Sequence, residues 1–260
     1  MERIISKENK RLKYITKLMS SAAFRRQEGA FVCEGMRLCA DALRSSAVVT
    51  FAVFSDSFLE RHADFAARAA SAAADACVVP DRLFSGLSDV TTPQGVLFVT
   101  KGLDKPVHFD KIKQNGKVLA LDCVQDPSNL GAVLRTAEAF AFDLVVLCGC
   151  CDIYSPKVLR ASMGAVFRTP FLVVDDLCSF IDGFNAYGNS FAAMLDREAI
   201  ALTDADFSAP SLCVVGNEGR GISPDIADTC TYRLYIPMKG DAESLNASVA
   251  ASIIMWEMIQ

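Results

Sequence analysis

Histidine is scarce in this chain: His62 and His108 are the only two in 260 residues, and neither lies near another cluster of metal-ligating side chains. A structural zinc site needs four ligands, commonly from a second Cys or His pair. Cys148 and Cys151 form a C-x-x-C with no second pair to match it, so no metal site is expected. Long apolar runs are also missing. No segment approaches the ~20 apolar residues of a membrane-spanning helix, and Met1–Lys17 is basic and polar with no apolar stretch after it to serve as an export signal. No Gly-Lys-Ser/Thr occurs, which excludes a Walker phosphate loop. No internal repeat or low-complexity segment is present apart from an alanine bias at Ala66–Ala76. These absences describe a chain expected to be soluble and cytoplasmic, without a membrane partner.

What is present is a large apolar fraction, 52% with mean hydropathy +0.27, enough for a core without disulfide or metal staples. The ten cysteines are expected as reduced thiols, many of them small buried hydrophobes, since Cys123, Cys148 and Cys213 sit in apolar strand-like runs. The net charge of −5 argues against a nucleic-acid partner until its distribution is considered. Residues 1–37 carry nine Lys/Arg and four Asp/Glu, whereas the remainder carries 17 basic and 27 acidic residues. Ser6 can cap a helix running to about Ser20, with Leu12, Ile15 and Met19 on one face and Lys10, Lys13 and Lys17 on the other. Arg25 and Arg26 extend this basic character, so the five cations form a candidate RNA-binding surface.

Strands alternate with helices along the whole chain, which indicates α/β architecture. The spacing predicts strands at Phe31–Glu34, Val48–Phe54, Cys77–Val79 and Gly95–Thr100, with helices at Met36–Ser45 and Ser57–Ala74. Residues 1–100 therefore form a small α/β domain, 101–116 a linker, and 117–260 a second domain. In the second domain, five or six short apolar strands, among them Leu144–Cys148, Phe171–Val174 and Ser211–Val215, imply a largely parallel sheet covered on both faces. An apolar helix, Leu245–Ile259, closes the chain.

Three segments of the second domain place polar residues where strands end, the ligand-binding position of open α/β sheets. The first, Asn129 to Ala137, has Asn129 and Arg135 in the first two turns of a helix and Gly131 between them. Taken alone, Asn129 is a helix cap and Arg135 a surface cation. The second, Gly216-Asn-Glu-Gly-Arg-Gly221, follows an apolar strand. Its G-x-x-G-x-G spacing differs from the G-x-G-x-x-G of a dinucleotide fingerprint, which disfavours a nicotinamide-dependent oxidoreductase. The third runs from Ile236-Pro-Met238 through a polar loop to Ser244-Leu-Asn246, where Ser and Asn are natural helix caps.

Read together and in order, these segments resemble the SpoU (TrmH-type) family of RNA ribose 2′-O-methyltransferases within the SPOUT superfamily. The resemblance covers about residues 117–260. The family's N-x-G-x-x-x-R-T-A stands at Asn129 to Ala137, its G-x-E-G-x-G at Gly216 to Gly221, and its I-P-M and S-L-N-x-S-x-x-A at Ile236 to Ala251. Ala161 to Pro170 is similar to a further family segment, with Met163 in place of a small residue. Ser6, Asn9, Arg25 and Phe31-Val-Cys-Glu-Gly-Met-Arg-Leu38 resemble the substrate-binding domain often fused upstream, which has a ribosomal-protein-like fold.

The resemblance implies a deep trefoil knot, an exception to the rule against threaded chains. It also implies S-adenosyl-L-methionine enclosed by backbone around Gly216, Ile236, Met238 and Leu245, and a catalytic set of Arg135, Asn129, Glu218, Ser244 and Asn246. Arg135 is the family's central catalytic residue. Because free arginine is essentially always protonated, it is expected to hold a phosphate and stabilise the developing alkoxide. Asn129, Glu218, Ser244 and Asn246 would orient Arg135, the ribose and the loops. A homodimer with the site near its interface is implied too, and Trp256 and Ile259 on the apolar last helix suit a partner surface. The expected substrate is structured RNA, ribosomal rather than transfer RNA. The alternatives are the same reaction on transfer RNA, or a non-catalytic RNA-binding or ribosome-assembly protein on the same fold.

Overall fold

In the computed structural model, which describes residues 1–103 and 106–260, the chain divides into two units. One comprises Met1–Asp104 and Tyr154–Phe167, the other Lys105–Ile153 and Arg168–Gln260. Part of the segment read as a linker, residues 104 and 105, lies outside the described residues. Further along that segment stands a helix, Phe109–Asn115, which His108 precedes and whose Ile112 is buried.

The first unit is built on strands β1 (Glu2–Arg3), β2 (Ala30–Glu34), β3 (Val49–Ser55), β4 (Ala76–Val79) and β5 (Val96–Lys101), in the order β1-β4-β3-β5-β2. β3 and β1 run parallel to β4, while β5 runs antiparallel to both β3 and β2. Leu12, Ile15 and Leu18 of the helix Lys10–Ser20 bury into a core with Val32, Phe51, Val53, Leu97 and Val99. This helix is capped by Asn9 rather than Ser6: the Asn9 side chain accepts from Arg11 N–H at 2.9 Å, while Ser6 accepts from Glu8 N–H one turn too early. The alanine-rich helix is two helices, Asp56–Arg61 and Ala63–Ala72, because His62 (φ −136°, ψ 43°) leaves the helical region.

Tyr154–Phe167 lie in sequence between two stretches of the second unit yet group with the first. The Tyr154 ring stacks on Phe31 with centroids 4.4 Å apart, and its hydroxyl accepts from Leu103 N–H at 2.7 Å. The sequence pattern over Pro156–Phe167 predicts one helix, but the helix Pro156–Ala161 ends early. Met163 (φ 52°) and Gly164 (φ 85°) reverse the chain before a single 3₁₀ turn at Ala165–Phe167. At Gly164 the left-handed backbone favours glycine, and a Cβ would displace the Asp41 carboxylate.

The second unit is a seven-stranded sheet of β6 (Lys117–Asp122), β7 (Leu144–Cys148), β8 (Phe171–Val174), β9 (Asn189–Ala193), β10 (Ile200–Ala201), β11 (Ser211–Val215) and β12 (Tyr232–Tyr235). The order is β10-β12-β9-β11-β6-β7-β8, and every neighbouring pair is parallel. This is the expected parallel sheet, extended by the two-residue β10, too short to leave a hydrophobic pattern. Side chains alternate between its faces. Val118, Ala120, Val146, Leu212 and Val214 meet Leu177, Ile181 and Phe184 on one of them. The helices Pro127–Ala139 and Ala247–Glu257 pack on each other, the latter also against β11. Because every strand points the same way, the loops after β6, β11 and β12 emerge at one edge of the sheet.

Candidate functional site

The loop after β11 is held in one shape by its own polar groups. Asn217 and Gly221 exchange backbone hydrogen bonds at 3.0 and 2.9 Å, and the Asn217 side chain accepts from Gly219 and Arg220 N–H at 2.9 and 3.1 Å. Gly221 has φ +71°, and a Cβ on Gly216 would overlap the backbone of Gly221 and Ile222. Two of the three glycines are thus required by the turn, one for its left-handed backbone and one for its close approach.

Glu218 ties this loop to the neighbouring strand's loop. Its carboxylate accepts from the backbone N–H of Gln125 (3.2 Å) and Asp126 (3.0 Å) and from Asn129 Nδ2 (3.0 Å). Burial pushes the Glu218 carboxyl up, but these hydrogen bonds and one from its own backbone outweigh burial and hold it below its usual range. Asn129 does not cap its helix. Asp126 does, accepting from Ser128 and Asn129 N–H at 2.6 and 3.4 Å, with Pro127 at the first helical position where its missing N–H costs nothing. The Asn129 side chain is therefore free to bridge: buried, it donates to Glu218 and accepts from Asn246 Nδ2 at 3.0 Å. Asn246 in turn caps the last helix, accepting from Ser248 and Val249 N–H at 3.0 and 3.3 Å, so that helix begins at Ala247. A single chain of hydrogen bonds, Glu218–Asn129–Asn246, links all three segments singled out by sequence.

Beside this chain lies a cavity of about 410 Å³, enclosed by the ends of β9, β11 and β12 and by the start of the last helix. Gly216, Ile236, Met238 and Leu245 all line it, as do Glu218 and Ser244. Arg135 does not. It is exposed on the helix Pro127–Ala139, outside the cavity lining, and makes no ion pair or hydrogen bond among the described residues.

Sequence reasoning missed the residues that shape the loops. Asn217 Nδ2 donates to Cys123 O at 2.7 Å, and the buried Asp122 carboxylate accepts from Ser223 N–H at 3.1 Å. Asp126 was detectable, because an Asp followed by Pro at a helix start is a recognised cap signature. The C-x-x-C gives no reactive thiol: burial pushes Cys148 up, and Cys151 up to about 11.

In the first unit, Lys10, Lys13, Lys17 and Arg26 are exposed. Arg25, assigned by sequence to the same RNA-binding surface, is only 6% exposed. The helix Lys10–Ser20 ends with unsatisfied carbonyls, and Arg25 reaches back so that its Nη1 donates to Leu18 O and, at 3.1 Å, to Met19 O. Its guanidinium holds two helices together and is not available to a phosphate.

The model of the SpoU rRNA methylase family matches residues 116–256, and that of an MRM3-like substrate binding domain matches residues 9–97. A 23S rRNA (guanosine(2553)-2′-O)-methyltransferase of Bacillus subtilis is 30% identical, with 99% of each chain covered. Among solved structures, an rRNA methyltransferase from Sinorhizobium meliloti with bound AdoMet superposes with a TM-score of 0.86 at 27% identity, covering 99% of this chain and 97% of that one. An RNA methyltransferase described as TrmH-family from Porphyromonas gingivalis gives 0.77 at 32% identity, over 95% and 96%.

Proposed function

The chain belongs to the SpoU rRNA methylase family, and from that membership we propose that it transfers a methyl group from S-adenosyl-L-methionine to a ribose 2′-hydroxyl of ribosomal RNA. The observation that carries this reading is the Glu218–Asn129–Asn246 chain standing beside a cavity lined by Gly216, Ile236, Met238 and Leu245. The cavity suits the cofactor. Its volume lies within the range of small-molecule sites, its walls include Leu195, Ile236, Met238 and Leu245, and Gly216 carries no side chain where a Cβ would collide with backbone. When bound, S-adenosylmethionine supplies a sulfonium methyl that is already an activated electrophile.

The protein's own task is to align the ribose hydroxyl, whose proton passes to the RNA phosphate that Arg135 holds as the oxygen takes the methyl. Glu218, kept ionised by its hydrogen bonds, fixes the two loops and leaves Asn129 in one orientation. Ser244, whose hydroxyl has no hydrogen-bond partner among the described residues, contacts the substrate at the cavity mouth. Arg135 holds a phosphate and stabilises the developing alkoxide through its planar, two-pronged donor set. Alignment of this kind lowers barriers by roughly 7–11 kcal/mol in favourable systems.

Arg135 lies outside its own chain's cavity lining, which supports a homodimer in which one subunit's Arg135 serves the other's cavity. Val249, Ile253 and Trp256 form an exposed apolar stripe on the last helix, with Trp256 52% exposed. That helix pairs with the Arg135 helix through Thr136 and Ser252, whose hydroxyls are 3.1 Å apart. Such a stripe is a natural subunit contact. Membership also implies the family's trefoil knot.

The match of residues 9–97 to a substrate-binding model supports giving RNA recognition to the first unit, with Lys10, Lys13, Lys17 and Arg26 on phosphates. Mapping 2′-O-methyl groups in total RNA from cells with and without the protein tests the proposal. One ribosomal ribose should lose its methyl. A change confined to transfer RNA would move the substrate, and no change at all would point to a non-catalytic role.

A further inference from the structure

Two sequence markers play no part in the methyl-transfer site: the stretch Phe31 to Leu38 and the stretch Ala161 to Pro170. Within the first unit they meet around a cavity of about 390 Å³. Its lining combines the side chains of Glu34, Arg37, Gln94 and Arg160 with apolar walls from Leu38, Leu159 and Met163. The backbone here is unusual. Gly35 (φ 93°), Met163 (φ 52°) and Gly164 (φ 85°) all lie in the left-handed region, and Met163 does so despite bearing a side chain. Such conformations cost free energy and gather at functional sites.

The polar groups of this cavity are only partly used. Arg160 Nη2 donates to Asp89 at 2.8 Å, but Nη1 is buried and has no hydrogen-bond partner among the described residues. A buried guanidinium N–H without an acceptor is an expensive arrangement, and one that a ligand would relieve. Glu34, 9% exposed, accepts from the Ser88 hydroxyl and from Asp89 N–H at 3.3 Å, and its two oxygens retain acceptor capacity. Gln94 Oε1 accepts from Met36 N–H at 2.6 Å, which leaves its amide NH₂ as a donor.

We propose that this cavity binds a guanine base of the RNA substrate, extruded from its stack. The proposal rests on the methyltransferase reading for the identity of the macromolecule, but on this cavity alone for the base. Its charges exclude a phosphate: the guanidiniums of Arg37 and Arg160 are balanced by the carboxylates of Glu34 and Asp89, so there is no surplus positive charge. A flat neutral ring fits the apolar walls. Guanine presents O6 and N7 acceptors, the pair a guanidinium reads, and its N1–H and N2–H₂ donors suit the Glu34 carboxylate. Adenine keeps N7 but offers a donor in place of O6 and has no ring N–H, so it would meet Arg160 and Glu34 with one hydrogen bond each where guanine makes two. Recognition of single extruded bases by their hydrogen-bonding edges is the usual mode of sequence-specific RNA binding.

Methyl-resolved NMR of the full chain, labelled at Met and Leu, tests this with the four nucleoside monophosphates and inorganic phosphate, each at millimolar concentration. Guanosine 5′-monophosphate should shift the methyl signals of Met163, Leu38 and Leu159. The other three monophosphates should bind at least about fivefold more weakly, the low end of what one good guanidinium–guanine pair discriminates. Glu34→Gln and, independently, Arg160→Met should each remove the preference for guanine. S-adenosylmethionine added to the same samples reports on the other cavity through Met194 and Met238. Silence there would count against the methyltransferase reading alone, while a guanine response at Met163 would still stand. Equal response to all four bases, response to inorganic phosphate, or no response at Met163 overturns the proposal.

Discussion

Two cavities of nearly equal volume, about 410 and 390 Å³, are furnished in opposite ways. Beside the one in the second unit, Glu218 and the side-chain amides of Asn129, Asn217 and Asn246 are locked into hydrogen bonds, so the loops keep their shape without any ligand. Around the one in the first unit the network is left incomplete, with Arg160 Nη1 buried and unanswered. The difference matches two tasks. A site that aligns reacting atoms gains from rigidity prepared in advance, whereas a site that reads a nucleobase gains from groups left unsatisfied by every other base, because unpaired buried donors are what make the wrong partner costly.

The prepared cavity is the easier one to break. Gly216→Ala should do most damage, since the added methyl meets the backbone of Gly221 and Ile222, which has no cheap way to yield. Calorimetry should show S-adenosylmethionine affinity reduced at least about 100-fold, reflecting the several kcal/mol that a forced backbone shift costs. Arg135→Lys should slow methyl transfer about 100-fold with cofactor affinity unchanged, because a lysine cannot make the two-pronged contact. Single-turnover kinetics separates the two effects; near-normal turnover would remove Arg135 from its assigned role.

Asn129→Ala should destabilise the chain by about 1–3 kcal/mol in denaturant unfolding, since it removes one of the two hydrogen bonds to Glu218 Oε1 and leaves the Asn246 amide without its acceptor. The same network carries a pH signature. The Glu218 carboxyl is lowered in the folded state, so its contribution is complete above the ordinary glutamate range and is lost as pH falls through the lowered value. Cofactor binding should accordingly be flat above the ordinary glutamate range and weaken only as pH falls below it, and Glu218→Gln should flatten that fall.

The smallest effect is expected at the basic helix. Replacing Lys10, Lys13 and Lys17 by Gln should leave stability nearly unchanged, because the Lys13–Glu8 pair is exposed and such pairs contribute little. RNA affinity should fall, with the salt dependence shallower by about 0.7–0.9 for each phosphate that a lysine no longer neutralises. Arg25→Gln should behave in the opposite way, costing stability more than salt dependence, since its guanidinium is bonded to Leu18 O and Met19 O.

The sequence made the parallel sheet legible because strands such as β7, β8 and β11 are short, almost wholly apolar runs, and their bounds coincide with the expected ones. It also made the three loops legible, since strand ends, glycines and caps leave local patterns. What it hid was non-local. Nothing in the order of residues says that Asp126 would take over the cap and release Asn129 to bridge Glu218 and Asn246 across 89 and 117 positions. Nothing local places Arg25 inside or Arg135 outside, because both are arginines on amphipathic helices and differ only in which carbonyls or carboxylates the fold brings near. The grouping of Tyr154–Phe167 with the first unit is equally invisible, as it depends on a ring stacked on Phe31.

The account turns on one reaction, and it can be watched directly. Full-length protein, S-adenosylmethionine carrying a labelled methyl, and ribosomal RNA from cells lacking the protein should together yield label on a single ribose 2′-oxygen, strongly reduced with Arg135→Lys. Label on a base, or cofactor binding with no transfer to any RNA from those cells, would contradict it.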